Sequence, residues 1–511
     1  MSSIKELNFA PLVEILGNNE EEVTLWENSV HESGTNTFFL IRHKSENKLI
    51  INAAHEKDLP ETFNGEVVKN GDYNYKICAL TPHNAEQIRT EFPHTKPRLL
   101  GKDHDSFGFG DRLGIAGPAH VRSVVTSGFK PVFAQQSIRE LERTNRSPQQ
   151  VIDAATWAVF QEGYKDGFGA DADHLKTKEH IDRTIFSGFT MFTIDPSDHV
   201  NDEAHTLSKE ELTQQANQLP WKDLKDDLDS MMNRYVDRKF DLPYNTIIEP
   251  TESEILQGIV KYGNVISHIQ ELYRYLKSEY PDKPSEVELS VDETEHTTTP
   301  VEHLLIASEL QRLGVDLVSL APRFSGDFEK GIDFKGDIEL FKQDYLKHQA
   351  IATEYGGYKL SVHSGSDKFS VYEQIGKLGV GQAHVKTAGT SYLEALRSLA
   401  MEDPKLFREI AGFSADRFEE DRKTYHISAS IQNWPELEQL ADAELPGLLD
   451  DDNARQILHV TFGSVISEID ANNKPKFKDR ILEALKKHEQ THFKCLEDHF
   501  EKHLKPFRST T

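Results

Sequence analysis

A closed parallel barrel of the (β/α)8 type is the fold class this sequence predicts, an α/β architecture with a small β-rich extension before it and a helical extension after it. Three observations lead there. From about Leu99 onward, short segments rich in Val, Ile, Phe and Gly alternate with longer amphipathic ones. Eight such short segments occur, at 99–109, 131–137, 167–177, 189–195, 287–294, 317–324, 359–364 and 382–387, and each ends in polar or charged residues. Strands alternating with helical patterns read as βαβ units and hence a parallel sheet, and eight units close most naturally into a barrel. An open doubly wound sheet is the alternative.

Taken in order, residues 1–98 read as strands and turns. The β-rich runs 37–41 and 49–51 flank a polar stretch, which is a hairpin signal, and 73–80 is a further strand. The proline-bearing segment 92–97 reads as a linker into the barrel, assigned to 99–400. Within the barrel, the helix over 147–164 opens with Ser147 as N-cap and Pro148 at the first helical position, and the helix over 300–313 carries apolar Leu304, Leu305, Ala307, Leu310 and Leu313 at helical spacing. The stretch from 195 to 287 is longer than one crossover requires, so an insertion is expected near 201–244. Helical patterns dominate 401–511, including one charged amphipathic helix over 477–500.

Composition narrows the function. The 511 residues carry 58 Lys+Arg against 85 Asp+Glu, a net charge of −27, which argues against a nucleic-acid or anionic-membrane binder. A local basic pocket for a small anion remains compatible with that charge. No apolar run approaches the ~18–20 residues of a membrane span, and the N-terminus lacks a signal-peptide pattern. The two cysteines, Cys78 and Cys495, provide no disulfide framework, so a cytoplasmic location is expected. The histidine count, 23, is high for so acidic a chain and directs attention to where the histidines fall.

Active sites of parallel barrels sit at the C-terminal ends of the strands. The third and eighth strands carry His174-Leu-Lys176-Thr and His384-Val-Lys386-Thr, and the seventh ends in Val362-His363-Ser364-Gly365. A strand presents alternate residues to one face, so His174, His363 and His384 are candidate ligands of one open divalent metal site. The everyday alternative for such a histidine is a plain hydrogen bond. Asp173 and Glu293 are strand-end carboxylates of the kind that transfer protons or bind metal; on an ideal strand Asp173 faces away from His174. Lys176, Arg323, Lys368 and Lys386 form a candidate cationic pocket for a carboxylate or phosphate substrate. Asp103 and His104, in the segment the first strand leads into, are further substrate-binding candidates. The glycines Gly108, Gly110 and Gly114 do not match a dinucleotide or P-loop fingerprint and read as positions where backbone turns tightly beside a ligand. No Gly-x-Ser-x-Gly elbow or Cys–His pair is present.

The segments GKDHDSFGFGDRLG from Gly101, GADADHLKT from Gly169, SVDET from Ser290, VHSGSDKF from Val362 and HVKTAGTSY from His384 together resemble the tagaturonate epimerase family. The resemblance implies a divalent-metal enzyme that interconverts tagaturonate and fructuronate in hexuronate catabolism, with related members acting weakly on fructose and tagatose. It implies Asp173 as proton acceptor, Glu293 as proton donor, and His174, His363 and His384 as ligands to Zn, Ni, Co or Mn. Inversion at C4 of a 2-ketose acid is compatible with retro-aldol/aldol chemistry, since the C4 hydrogen is too far from the ketone for simple enolisation. The residues alone also accommodate a metal-dependent aldolase or ketose isomerase, or a non-catalytic carbohydrate-binding barrel. The expected partner is a small sugar acid or ketohexose; a homo-oligomer is compatible with the sequence.

Overall fold

The eight segments predicted as barrel strands all form strands, most of them shorter than their sequence signal. They are β1 (Ser106–Gly110), β2 (Lys130–Ser137), β3 (Gly169–Leu175), β4 (Met191–Ile194), β5 (Glu286–Val291), β6 (Ser319–Pro322), β7 (Lys359–Val362) and β8 (Ala383–Thr387). The computed structural model describes residues 9–17, 23–44 and 46–508. Every neighbouring pair is parallel, and β8 pairs back onto β1 through His384–Ser106 and Lys386–Gly108, closing the ring. The closed barrel, not the open sheet, is therefore the fold.

Local sequence sets the helix starts. Ser147 accepts a hydrogen bond from the Gln150 amide while the Gln150 side chain accepts from the Ser147 amide, and Thr299 with Glu302 does the same. These capping boxes satisfy two otherwise orphaned donors each. The helices run Pro148–Gln161 and Pro300–Arg312, as the prolines predict.

β1 begins at Ser106, seven residues later than the apolar signal at Leu99 suggests. Residues 99–105 instead run beneath the barrel. There the Leu100 and Gly101 amides donate to the Glu286 carboxylate at 3.2 and 3.0 Å, and Lys102 donates to Asp316 at 2.5 Å and to the Gly356 carbonyl at 3.2 Å. Gly108 and Gly110 lie within β1, not in a turn. A Cβ on Gly108 would stand 1.7 Å from Gln135 Oε1, so this glycine makes room for a neighbouring side chain inside the barrel.

Around the barrel sit the expected additions. The N-terminal sheet is antiparallel, and its hairpin strands Asn36–His43 and Glu46–Ala53 extend further into the polar stretch than predicted. Phe38, Leu49 and Ile51 from this sheet pack with Ile88, Trp157 and Phe160, docking it onto a barrel helix. The segment 92–97 is no loose linker: Pro93–Thr95 forms a short 3-10 turn with Thr95 fully buried. Between β4 and β5 the helices Lys209–Ala216, Trp221–Leu224 and Leu228–Tyr235 and the hairpin Phe240–Leu242/Thr246–Ile248 precede the long crossover helix Glu252–Glu279.

The C-terminal amphipathic pattern folds as two helices, Lys478–Lys487 and Glu489–Leu504, broken at His488. The second lies against the barrel wall, with Phe500 in edge-to-face contact with Phe107, Phe109 and His120. Phe500→Ala removes a fully buried ring and is expected to cost about 3–5 kcal/mol in urea denaturation; a loss below ~1 kcal/mol would mean that this helix is not part of the barrel core.

Candidate functional site

β3 carries the decisive local irregularity. Pairing with β4 runs Phe192–Ala172 and then Ile194–Leu175, so the single residue Thr193 on β4 opposes two, Asp173 and His174, on β3. The extra residue is a β-bulge, and His174 adopts φ +52° there. Alternation is broken at this point, so adjacent Asp173 and His174 both turn into the mouth of the barrel. The same bulge sends Lys176 elsewhere. Its ammonium reaches Asp198 at 2.8 Å on the surface, outside the cleft.

Lys386, projecting inward from β8, is the centre of the interior. Its ammonium lies 2.7 Å from Asp171, 2.9 Å from Asp173, 2.7 Å from Glu288 and 2.6 Å from Thr193 Oγ1. An ammonium has three N–H groups, all committed here, so Lys386 neutralises carboxylates and does not grip a substrate anion. Burial alone would lower its pKa, but the three carboxylates hold it well above the usual value. Burial pushes Asp171 up to about 6. For Asp173 the same desolvation is outweighed by His174 and Lys386, which keep it ionised well below the usual carboxylate range.

The chain of contacts continues outward. His363, at the end of β7, places Nε2 2.7 Å from Glu288 and Nδ1 3.1 Å from Asp292. Desolvation opposes its charging, yet Asp292 and Glu288 push it up to about 10. The His174 ring stands 5.3 Å from that of His363, with Nδ1 3.4 Å from Asp195 and Nε2 3.8 Å from Asp173. Burial is again outweighed, by Asp173 and Asp195, and His174 is pushed up to about 9. Glu293 joins His174 and Asp195 with donor atoms within 4.8 Å of one another; its nearest ion partner is Arg139 at 3.7 Å.

His384 lies deeper. Its Nδ1 meets Ser106 Oγ at 2.8 Å, its Nε2 has no hydrogen-bond partner, and burial lowers its pKa to about 3. Among the described residues, the close donor set around His174 holds Asp195 and Glu293 and includes neither His384 nor His363.

The donor chemistry at the mouth fits a divalent cation. His174, Asp195 and Glu293 bring one donor atom each within 4.8 Å of one another there, and His174 Nδ1 is buried without a hydrogen bond; His363 and Asp292 stand beside this group and contact each other at 3.1 Å. A second group of metal-ligand residues, Asp367, His499 and His503, fits one poorly. Arg455 already holds Asp367 at 2.8 Å, His499 hydrogen-bonds the same carboxylate, and His503 Nε2 accepts the Asp367 amide at 3.0 Å.

Above these groups opens a cleft of about 290 Å³ lined by Asp292, Glu293, Arg323, Lys330, His363 and Tyr425, among others. It continues into a recess of about 50 Å³ that reaches Asp173, His174 and Lys386. Arg139, Lys330, His363, Ser364 and Tyr425 line both.

A family model for tagaturonate epimerase matches residues 26–507. The chain belongs to the tagaturonate epimerase family. A tagaturonate/fructuronate epimerase of Thermotoga maritima is 42% identical over 482 residues, covering 94% of this chain and 96% of that protein. The native crystal structure of a fructuronate-tagaturonate epimerase from Cohnella laeviribosi superposes with a TM-score of 0.90 at 37% identity, covering 98% of this chain and 99% of that one. Its complex with one glycerol gives 0.89 at 36% identity, with 97% and 98% covered.

Three substrate-binding expectations need correction besides the reassignment of Lys386 and the surface position of Lys176. Asp103 and His104 are exposed beneath the barrel, because β1 starts after them. Lys368 is fully buried, with its ammonium donating to the carbonyls of Glu329, Ser366 and Ile332, and does not line the cleft. Arg323 does line it. Sequence reasoning missed Asp171, Glu288, Arg139, Lys330 and Tyr425. Glu288 left a readable signal, a carboxylate in the apolar strand Val287-Glu-Leu-Ser-Val291; Lys330 and Tyr425 sit on loops with none.

Lys386→Met strands three carboxylates in the barrel. It is expected to lower unfolding stability by about 3–5 kcal/mol, read by urea denaturation at neutral pH; wild-type stability would contradict the central position given to this residue.

Proposed function

We propose that the protein is an epimerase interconverting D-tagaturonate and D-fructuronate at C4, with a divalent cation bound at the barrel mouth. The observation that carries this reading is the gathering of Asp173, His174, His363 and Glu293 about one cleft in a chain aligned over 94% of its length with a tagaturonate/fructuronate epimerase. His174 and His363 would hold the cation together with Asp195, His363 giving up its contact with Asp292 to do so, and Glu293 is kept for proton transfer. Such a cation supplies Lewis-acid stabilisation of negative charge on the ketose oxygens. Zn, Ni, Co and Mn all suit this donor set.

The chain's own residues account for the proton transfers. Asp173, kept ionised by the Lys386 ammonium 2.9 Å away, accepts the proton of the C4 hydroxyl. The O4 electrons form the C4 carbonyl, the C3–C4 bond breaks, and its electron pair becomes the C2–C3 double bond of an enediolate. Rotation of the aldehyde about C4–C5 presents its other face, C3 re-forms the bond, and Glu293 protonates the new C4 oxygen. Glu293 suits this exchange because its side chain is 39% exposed at the cleft, the most accessible of the site carboxylates. Arg323 faces the same cleft and binds the substrate anion. Fructose and tagatose, lacking the carboxylate, are weaker substrates.

Purified protein should convert tagaturonate to fructuronate, lose the activity on chelation and regain it with one of the four metals. His174→Ala should lose both metal and turnover while melting near the wild-type temperature; full metal content in that variant would remove His174 from the ligand set. Glu293→Gln should lower kcat about 10²–10⁴-fold, and an unchanged kcat would rule out its proton-transfer role. Turnover in D2O should leave C4 undeuterated. Deuterium there would mean abstraction from carbon and refute the retro-aldol route.

A further inference from the structure

In a chain of net charge −27, most cations near the site are neutralised or saturated. Lys386 is held by carboxylates, Arg112 by Glu140 at 2.8 Å, Lys176 by Asp198, and Lys368 by backbone carbonyls. Two cleft cations differ. Among the described residues, neither Lys330 nor Arg323 has a carboxylate within 4.0 Å. Lys330 donates only to Ser364 Oγ, and Arg323 donates to the Thr294 carbonyl at 2.5 Å while its Nε has no partner.

The backbone on both sides of Lys330 is fixed. Lys368 donates to the carbonyls of Glu329, at 2.7 Å, and Ile332, and Arg455 Nε donates to the Gly331 carbonyl at 2.8 Å. The Glu329 carboxylate accepts from the Ser428 amide at 2.9 Å and from Gln456 at 2.7 Å. Arg455 is in turn anchored on Asp367, which hydrogen-bonds His499 of the C-terminal helix. Buried cations and the C-terminal region thus hold one partly exposed, unpaired ammonium at a set place on the cleft wall, next to Ser364 and His363. A preorganised cation of this kind loses little on meeting an anion and focuses it in an otherwise acidic protein.

We propose that Lys330 is the specificity-determining residue by which the cleft selects a carboxylated sugar over a neutral one, with Arg323 as the second cation at the carboxylate. This deepens, and rests on, the sugar-acid reading of the cleft. The test is calorimetric titration of wild type, Lys330→Met and Lys330→Arg with D-galactonate, an acyclic sugar acid, and with galactitol, its uncharged counterpart, alongside kinetics on tagaturonate. Wild type should bind galactonate more tightly than galactitol. Lys330→Met should lose about 10–100-fold in galactonate affinity, as befits one charge-assisted hydrogen bond, with galactitol unaffected. Lys330→Arg should keep most of the preference, and KM for tagaturonate should rise in the Met variant far more than kcat falls. Wild-type galactonate affinity in Lys330→Met, equal losses for both probes, or no preference in the wild type would each overturn the proposal. Tight galactonate binding without turnover of tagaturonate would instead count against the epimerase reading and leave this assignment standing.

Discussion

An ammonium sealed inside a ring of parallel strands persists only if acids surround it, and this requirement at Lys386 organises the whole site. The three carboxylates that meet it are Asp171 and Asp173 from β3 and Glu288 from β5. Two of them pass the constraint outward. Glu288 orients His363, which in turn contacts Asp292. Asp173 stands beside His174, which contacts Asp195. Charges buried in low dielectric interact strongly and tolerate little misplacement. The mouth of the barrel therefore inherits its geometry from a neutralised interior, and the imidazoles there are aimed before any ligand arrives.

The bulge in β3 lets that interior place two neighbouring side chains at the barrel mouth. On a regular strand Asp173 and His174 would point to opposite faces. One extra residue, with His174 in the left-handed region, turns both inward at a modest conformational cost. The surrounding ladder on both sides of β3 over-determines the strained residue.

Much of this was legible in the sequence, and the failures have physical causes. All eight strands were readable because strands buried on both faces must be apolar, and the histidines stood out at their ends. The start of β1 was misplaced because Leu99 and Leu100 extend the apolar signal into a segment that folds under the barrel, which carried Asp103 and His104 to the wrong end. Lys176 was misread because period-two alternation does not announce a bulge. Lys368 and Lys386 look like pocket cations in one dimension; only three-dimensional neighbours show that carbonyls and carboxylates have already claimed their donors. Lys330 and Tyr425 are placed by loops whose conformation depends on distant partners such as Arg455 and Arg143, a dependence no local pattern encodes.

The C-terminal region supports the site rather than merely following it, since its helices wall the barrel and its Arg455 and His499 fix the loops that reach the cleft. In the proposed metal site the cation would sit at the strand ends, against His174 and His363, and not in the buried Asp367–His499–His503 clamp. Anomalous diffraction from crystals grown with Mn²⁺ tests this most directly. The predicted result is one strong peak in contact with His174 and His363; a peak at Asp367, or none at the barrel mouth of an active preparation, would contradict it.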